Sequence, residues 1–307
     1  MTKFSPGDAA FEGFRISREN PRTLLIWAVF HFVISLVTAA ILIGMSGEAL
    51  ELAESSEELS ADQMTQVMMG LAPSTLLLAP IGLIVLAMIA AAVYRLHLRP
   101  SDASGGYLRL GADEFRLVLL TIIYYFLALI GLLALIILAG VSAGLAASIG
   151  GGSGRIVAIG VFLFSAGLCI YVLVRLSLAP VITFDTQRLS IFGSWSLTRG
   201  RFWPLLGAYV LAIVTIFVVS LLLMVIFAAV AGVITVSSGG SIDEVGAVFQ
   251  PELTSFAAYF TPQTIAYLVF NAALMAVYYP ALLSPQVLAY RAFRVQPTEA
   301  GRPHLEG

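Results

Sequence analysis

Charged residues and cysteines are both scarce in this chain of 307 residues. Asp, Glu, Lys and Arg make up 11% of it and hydrophobic residues 59%, whereas a soluble globular domain has roughly 25% charged residues. This composition excludes an ordinary soluble domain. The single cysteine, Cys169, cannot by itself build a disulfide framework or a thiolate metal site, so we expect it to be a small buried packing residue.

Long apolar runs are what the sequence has instead. Six runs contain no Asp, Glu or Lys, and each has about 20 residues or more, the length that a helix needs to cross the hydrocarbon core of a bilayer. The runs are Leu24–Met45, Thr75–Tyr94, Leu117–Gly140, Ile156–Val174, Pro204–Ile234 and Pro262–Ala289. The sequence therefore predicts an all-α, polytopic transmembrane bundle of six helices. The lack of carboxylates inside the runs argues against ion-coupled transport, which usually needs one.

Basic residues predict the orientation of these helices. All but one of the 16 Lys and Arg residues lie before the first run, between the second and third, between the fourth and fifth, or after the sixth. Arg155 is the exception. The first loop on the opposite side is acidic and contains Glu48, Glu51, Glu54, Glu57, Glu58 and Asp62. Because Lys and Arg are enriched in cytoplasmic loops, we expect a multi-pass protein of the bacterial inner (plasma) membrane with both termini in the cytoplasm.

We interpret the chain as one membrane domain. It comprises a cytoplasmic amphipathic segment at residues 1–22, the six-span bundle at 24–289 and a cytoplasmic tail at 290–307. Residues 1–22 lack the apolar stretch and cleavage site of a secretory signal, so we expect the N-terminus to be retained.

Short amphipathic segments flank the runs. Ser5-Pro6-Gly7-Asp8 is a typical helix start, and Leu189, Phe192 and Trp195 recur every third residue, which predicts helices lying at the membrane interface. On the opposite side, Ser60 and Gln63 have the spacing of a capping box.

A short motif recurs along the chain. Arg-Leu-x-Leu-x-Pro occurs at Arg95–Pro100 and again at Arg175–Pro180, and a looser copy begins at Arg291 and reaches Pro297. We interpret this as three parallel hairpin repeats, with units at 1–100, 101–180 and 181–297. The alternative is that any helix leaving a membrane on this side tends to carry Arg and then Pro.

A few polar or helix-breaking residues inside the runs are candidates for a cavity. His31 is the one ionisable residue within a run, Asn271 lies near the middle of the sixth run, and Pro80 interrupts the second. They could line a transport pathway, or they could simply form hydrogen bonds and kinks between packed helices. No second His is placed to pair with His31, so we expect no metal site.

Three arginines are the most specific candidates for a binding site. Arg95, Arg175 and Arg291 each close an even-numbered run, where a guanidinium can bind a lipid phosphate in a planar fork geometry. Snorkelling and orientation are the alternative. Further candidates at the same membrane interface are Arg109, Arg116, Arg201 and Trp195.

Part of the chain is similar to a known group of bacterial proteins. Phe184-Asp185 and Ser194-Trp195-Ser196-Leu197-Thr198-Arg199-Gly200-Arg201-Phe202-Trp203, preceded by Arg175-Leu176-Ser177-Leu178-Ala179-Pro180, resemble the membrane domain fused ahead of some glycerophosphodiester phosphodiesterases. Related stand-alone inner-membrane proteins of unknown role share the pattern. The resemblance implies a polytopic inner-membrane protein. No phosphodiesterase barrel follows in these 307 residues, so the resemblance does not carry catalysis to this chain.

These observations favour a non-enzymatic protein. We find no Gly-x-Ser-x-Gly nucleophile elbow and no pair of carboxylates in the runs, and we expect no cofactor and no nucleic-acid partner. The expected role is structural or lipid-associated, with membrane lipids, anionic ones in particular, as partners; a protein partner or a second copy stays open. The alternative is an uncoupled or exchange-type transporter of small molecules with a cavity between the hairpins.

Overall fold

The structure is a computed structural model that describes residues 4–55, 59–237 and 241–295. Throughout these residues the regular structure is helical, which confirms the all-α prediction. The α-helices are α1 (Pro6–Glu19), α2 (Pro21–Glu54), α3 (Ala61–Leu98), α4 (Ala112–Ile149), α5 (Gly151–Leu176), α6 (Ala179–Thr186), α7 (Gly193–Leu197), α8 (Phe202–Ser237), α9 (Phe256–Tyr259) and α10 (Pro262–Val295). Glu57, Glu58, Pro297 and the tail from residue 296 onward lie outside the described residues.

Six of the helices are long and apolar enough to cross a membrane, and each contains one predicted run. The protein is therefore a multi-pass membrane protein. The helices extend beyond the runs: α2 has 34 residues and continues through Glu48, Glu51 and Glu54. At 1.5 Å per residue such a helix is about 50 Å long, more than the ~30 Å of hydrocarbon, so its polar end projects from the core.

Two pairs of consecutive long helices pack together. α2 packs against α3, and α4 packs against α5 with only Gly150 between them. The predicted capping box begins α3: the Ser60 hydroxyl accepts from the Gln63 amide at 3.3 Å, and the Gln63 side chain accepts from the Ser60 amide at 2.9 Å. That local prediction is confirmed.

The chain divides into two compact units. The first comprises Met1–Ala9, Leu110–Val210 and Pro285–Gly307, and the second comprises Ala10–Arg109 and Leu211–Ser284. One buried cluster of the first unit consists of Val174, Leu178, Leu205, Ala289 and Phe293. In the second unit one cluster consists of Trp27, Ala92, Val93, Tyr107 and Ala276. The three sequence repeats and the single-domain interpretation stay predictions.

The N-terminal helix packs through its small residues. Gly13 faces the backbone of Ala281 so closely that a β-carbon at position 13 would collide with it. Ile16 and Ser17 are buried beside Gly13, whereas half of the Phe11 surface is exposed. Phe11 thus lies on the outer face of α1, and the helix is held by close backbone contact.

Cys169 is not the buried packing residue that the sequence predicted. It lies on α5 and is exposed, like most side chains of α5 between residues 156 and 173. In a membrane this surface faces lipid.

Candidate functional site

The three arginines of the recurring motif have different surroundings. Arg95 and Arg175 are buried, with 3% and 5% of their surfaces exposed, whereas Arg291 is exposed. Arg95 belongs to the second unit and the other two belong to the first. The sequence motif therefore does not give its arginines a common role.

Arg95 holds the segment that follows α3. Its Nη1 donates a hydrogen bond to the carbonyl oxygen of Tyr107 at 3.0 Å, and Trp27 Nε1 donates to the neighbouring carbonyl of Gly106 at 2.7 Å. Tyr107 has a φ of 66°, a left-handed conformation that a residue with a side chain rarely adopts. Two buried donors thus fix a strained turn, which is a structural use of Arg95.

The backbone of Arg175 is fixed by the segment that follows α5. The Ser194 hydroxyl donates to the Arg175 carbonyl oxygen at 2.7 Å and accepts from the amide of Leu178 at 3.1 Å. Thr198, one helical turn after Ser194, donates to the Ser194 carbonyl at 2.8 Å. Neither Ser194 nor Thr198 has exposed surface. Ser194 and Thr198 therefore form a buried clasp that folds residues 193–198 against the end of α5.

The guanidinium of Arg175 lies among aromatic rings. Its central carbon is 4.6 Å from the ring centroid of Trp195 and 5.8 Å from that of Tyr171. Its Nε is fully enclosed and forms no hydrogen bond with any described residue. Sequence reasoning placed Arg175 and Trp195 at one interface, and the structure brings these two side chains into contact.

Residues 187–203 present aromatic and basic side chains on their outer surface. Phe192, Trp195 and Trp203 are 61%, 39% and 76% exposed, and Arg188 and Arg199 are exposed as well. The prediction of a continuous interfacial helix over Leu189–Trp195 is wrong. α6 ends where Gln187 adopts a left-handed φ of 55°, and only the five residues of α7 are helical.

The remaining arginine candidates have protein partners. Arg109 contacts Ser104 at 2.9 Å, Arg116 pairs with Asp113 at 2.9 Å, and Arg201 donates to the Phe293 carbonyl at 3.2 Å.

The cavity candidates lie in the second unit. His31 is buried and stacks on the ring of Tyr279, with centroids 5.2 Å apart and planes within 2°. Asn271 is half-buried and its side chain has no hydrogen bond to a described residue, while Pro80 is exposed on α3. A cavity joining these residues stays a prediction.

One polar cluster was missed by sequence reasoning. His97 Nε2 lies 3.0 Å from the Ser284 hydroxyl, and His97 Nδ1 lies 3.8 Å from a carboxylate oxygen of Glu12. The arrangement has the order of a Ser-His-acid triad, but the Ser284 hydroxyl donates to the Pro280 carbonyl at 2.6 Å and has no exposed surface. With the Ser284 hydrogen directed to that carbonyl, His97 Nε2 donates to the Ser284 oxygen, and the cluster links α3 to α10 and α1.

Glu12 also contacts Arg15, one turn further along α1. It accepts hydrogen bonds from Arg15 at 2.6 and 2.8 Å, and these bonds, with the charge of Glu12 and a second carboxylate at Glu19, raise the pKa of Arg15 above its ordinary value.

His97 and Ser284 are 187 positions apart in the chain, which explains why no sequence pattern indicated their cluster.

Searches of protein-family models, curated proteins and solved structures found no match to this chain. Within the described residues, no group of three or more His, Cys, Asp or Glu side chains is placed to hold a metal ion. The arrangement of arginines and aromatic side chains in the first unit is thus the basis for a functional proposal.

Proposed function

We propose that this chain is a non-enzymatic protein of the bacterial inner membrane, with both termini in the cytoplasm and a lipid-associated role. Residues 187–203 are the surface that contacts the anionic inner leaflet. We propose as well that the resemblance of this segment to the membrane domain of some glycerophosphodiester phosphodiesterases reflects a shared inner-membrane location.

The observation that carries the proposal is the exposure of aromatic and basic side chains together on residues 187–203. Tryptophan is enriched where the hydrocarbon meets the headgroups, and Arg188 and Arg199 are free to reach lipid phosphates from there. Each basic residue close to an anionic surface contributes about 1 kcal/mol of attraction. The Ser194–Thr198 clasp keeps these side chains at a fixed place on the end of α5, so little ordering is needed when lipid binds.

The three-hairpin layout is part of the same proposal. Arg95 and Arg175 are both buried near the end of a long helix, and each contacts the segment that follows it, Arg95 through Tyr107 and Arg175 through Ser194 and Trp195. This shared arrangement supports a relationship between the sequence repeats at 1–100 and 101–180.

Lipid retention measured by native mass spectrometry tests the proposed role. The protein is released from membranes that contain phosphatidylglycerol and phosphatidylcholine, and retained lipids are counted for the wild type and the double variant Arg188→Gln/Arg199→Gln. We expect the double variant to retain fewer phosphatidylglycerol molecules. Arg155→Gln is the matched control, because Arg155 is exposed on the predicted opposite side. Equal retention by all three proteins would contradict the proposal.

Passage of a small molecule through the second unit is the second candidate function. It is favoured by the buried His31 and by Asn271, whose amide has no hydrogen-bond partner among the described residues. Polar side chains within membrane-spanning helices usually face the bundle interior or a water-filled cavity.

A further inference from the structure

The guanidinium of Arg175 has rings beside it but no acceptor at its edge. The residue is 5% exposed, its Nε has no accessible surface, and no carboxylate or carbonyl of the described residues forms an ion pair or hydrogen bond with the group. Three other arginines of the first unit differ. Arg201 donates to the Phe293 carbonyl, and Arg116 and Arg294 pair with carboxylates.

Aromatic stacking leaves this guanidinium incompletely satisfied. Trp195 and Tyr171 act on the positive charge through their π-systems, whereas the five N–H groups of an arginine point outward in the plane of the guanidinium. A buried charge whose donors lack acceptors is costly, and the missing group is an in-plane acceptor with negative charge. An oxyanion with two oxygens at phosphate spacing matches this edge in a bidentate geometry.

The surroundings indicate how such an anion would reach the site. Nε is enclosed, so the Nη atoms are the part of the group that an incoming ligand can contact. Trp195, which covers the guanidinium, is itself 39% exposed and belongs to the proposed lipid-contacting segment. The site therefore adjoins the surface where lipid headgroups are expected.

We propose that Arg175 binds one phosphate-type oxyanion through its Nη edge while Trp195 stacks on the guanidinium. The inference rests on the proposed lipid association and specifies it: the ligand class is the phosphate of an anionic lipid headgroup, and free inorganic phosphate shares the same chemistry. One such ligand binds per chain, separately from the lipids attracted by the exposed Arg188 and Arg199.

Arginine-selective NMR on the intact protein tests the site directly. Delipidated protein labelled with ¹⁵N-arginine is titrated with dioctanoyl phosphatidylglycerol, with dioctanoylglycerol, which has the same tails but no phosphate, and with inorganic phosphate. The Nε–Hε resonance of Arg175 is assigned by its absence from Arg175→Lys. We expect this resonance to shift saturably with phosphatidylglycerol and to be unchanged by dioctanoylglycerol.

The titrations also identify the source of the phosphate. A shift with phosphatidylglycerol alone assigns the site to lipid, and a shift with both phosphate compounds assigns it to the phosphate group irrespective of tails. An equal shift with dioctanoylglycerol, or no shift with either phosphate compound, overturns the proposal. The last result can coexist with normal lipid retention through Arg188 and Arg199, so failure of this site and failure of the proposed function are distinguishable.

Variants add a second measurement. Arg175→Lys keeps a positive charge but has no planar pair of Nη atoms, and we expect it to bind phosphatidylglycerol about tenfold more weakly or worse. Trp195→Phe keeps a ring at the stacking position, and we expect its affinity to stay within about threefold of the wild type. If Arg175→Lys does not fold, the Arg175 resonance is identified by the slow proton exchange expected of the enclosed Nε. The titration of the wild-type protein then tests the proposal by itself. Unchanged affinity in a folded Arg175→Lys protein overturns the proposal.

Discussion

The hydroxyl of Ser194 donates a hydrogen bond to the carbonyl oxygen of Arg175, 2.7 Å away and 19 positions earlier in the chain. Ser194 also accepts from the amide of Leu178, so one buried side chain satisfies two backbone groups where α5 ends. Helix ends leave carbonyl and amide groups without intrahelical partners, and here a folded-back segment supplies them. This contact is what places Trp195 on the guanidinium of Arg175.

Replacing Ser194 by alanine should destabilise the first unit. The change leaves the Arg175 carbonyl and the Leu178 amide without this partner in a buried place, which costs about 1–3 kcal/mol. Denaturant unfolding of the detergent-solubilised protein measures the effect. Ser196→Ala is the control, since the Ser196 hydroxyl forms only an exposed local hydrogen bond to Gly193. Equal stabilities of the two variants would show that the clasp is unimportant.

Trp27→Phe should destabilise the second unit. The indole is 2% exposed and donates to the Gly106 carbonyl at 2.7 Å, so phenylalanine leaves that buried acceptor unpaired at a cost of about 1–3 kcal/mol. Trp203→Phe is the matched substitution at a 76% exposed tryptophan and should change stability little. Thermal unfolding of both variants in the same detergent provides the comparison, and a loss as large in Trp203→Phe would refute the explanation.

Leucine at position 13 should detach α1. Gly13 lies against the Ala281 backbone with no space for a β-carbon, so the helix must move away. Trypsin cleavage after Arg15 and Arg18 reports this movement, and we expect it to be clearly faster in Gly13→Leu. Gly7→Leu serves as control because the nearest atom to a β-carbon there, the Ser5 hydroxyl, is 3.9 Å away. Identical cleavage rates would mean that α1 does not depend on this contact.

Single cysteines test the proposed orientation. Cys169 is the only cysteine, so Cys169→Ala gives a cysteine-free background into which Arg188→Cys or Glu51→Cys is introduced. With a membrane-impermeant maleimide applied to intact cells, we expect labelling at position 51 and none at position 188 until the cells are lysed. The reverse pattern would place the basic segments outside and remove the basis for contact with the inner leaflet.

Asn271→Leu distinguishes packing from passage in the second unit. Because the Asn271 amide has no hydrogen bond to a described residue, leucine should leave stability unchanged or increase it slightly if the site is dry. A water-filled pathway would instead lose polar lining, and liposome efflux of small solutes would fall. Wild-type liposomes that show no efflux above protein-free liposomes would remove the transport candidate.

Local features of the fold were the most predictable from sequence. The capping box at Ser60 and Gln63 and the helix start at Ser5 depend on neighbouring residues, and both occur, with the Asp8 amide bonded to the Ser5 hydroxyl at 3.3 Å. The segment around Leu189 was predicted as a helix from its three-residue spacing, but the left-handed Gln187 and the inward turn of Ser194 interrupt it. The hydrogen bonds of Ser194 to the end of α5 therefore determine the backbone of this segment more than the three-residue spacing of its apolar side chains does.

Composition determined that this chain enters a membrane as six helices, because runs of about 20 apolar residues without carboxylates have no other favourable environment and their backbone groups must pair within each helix. The tertiary structure decided the surroundings of the three motif arginines: Arg95 donates to a carbonyl, Arg175 stacks on an indole, and Arg291 is exposed. Arg95, Arg175 and Arg291 have similar neighbours in sequence, but their surroundings come from residues 12 to 20 positions away or from other helices. The free energy of a charge in a low-dielectric environment depends on those distant partners, and they come into contact with the charge only when the helices pack.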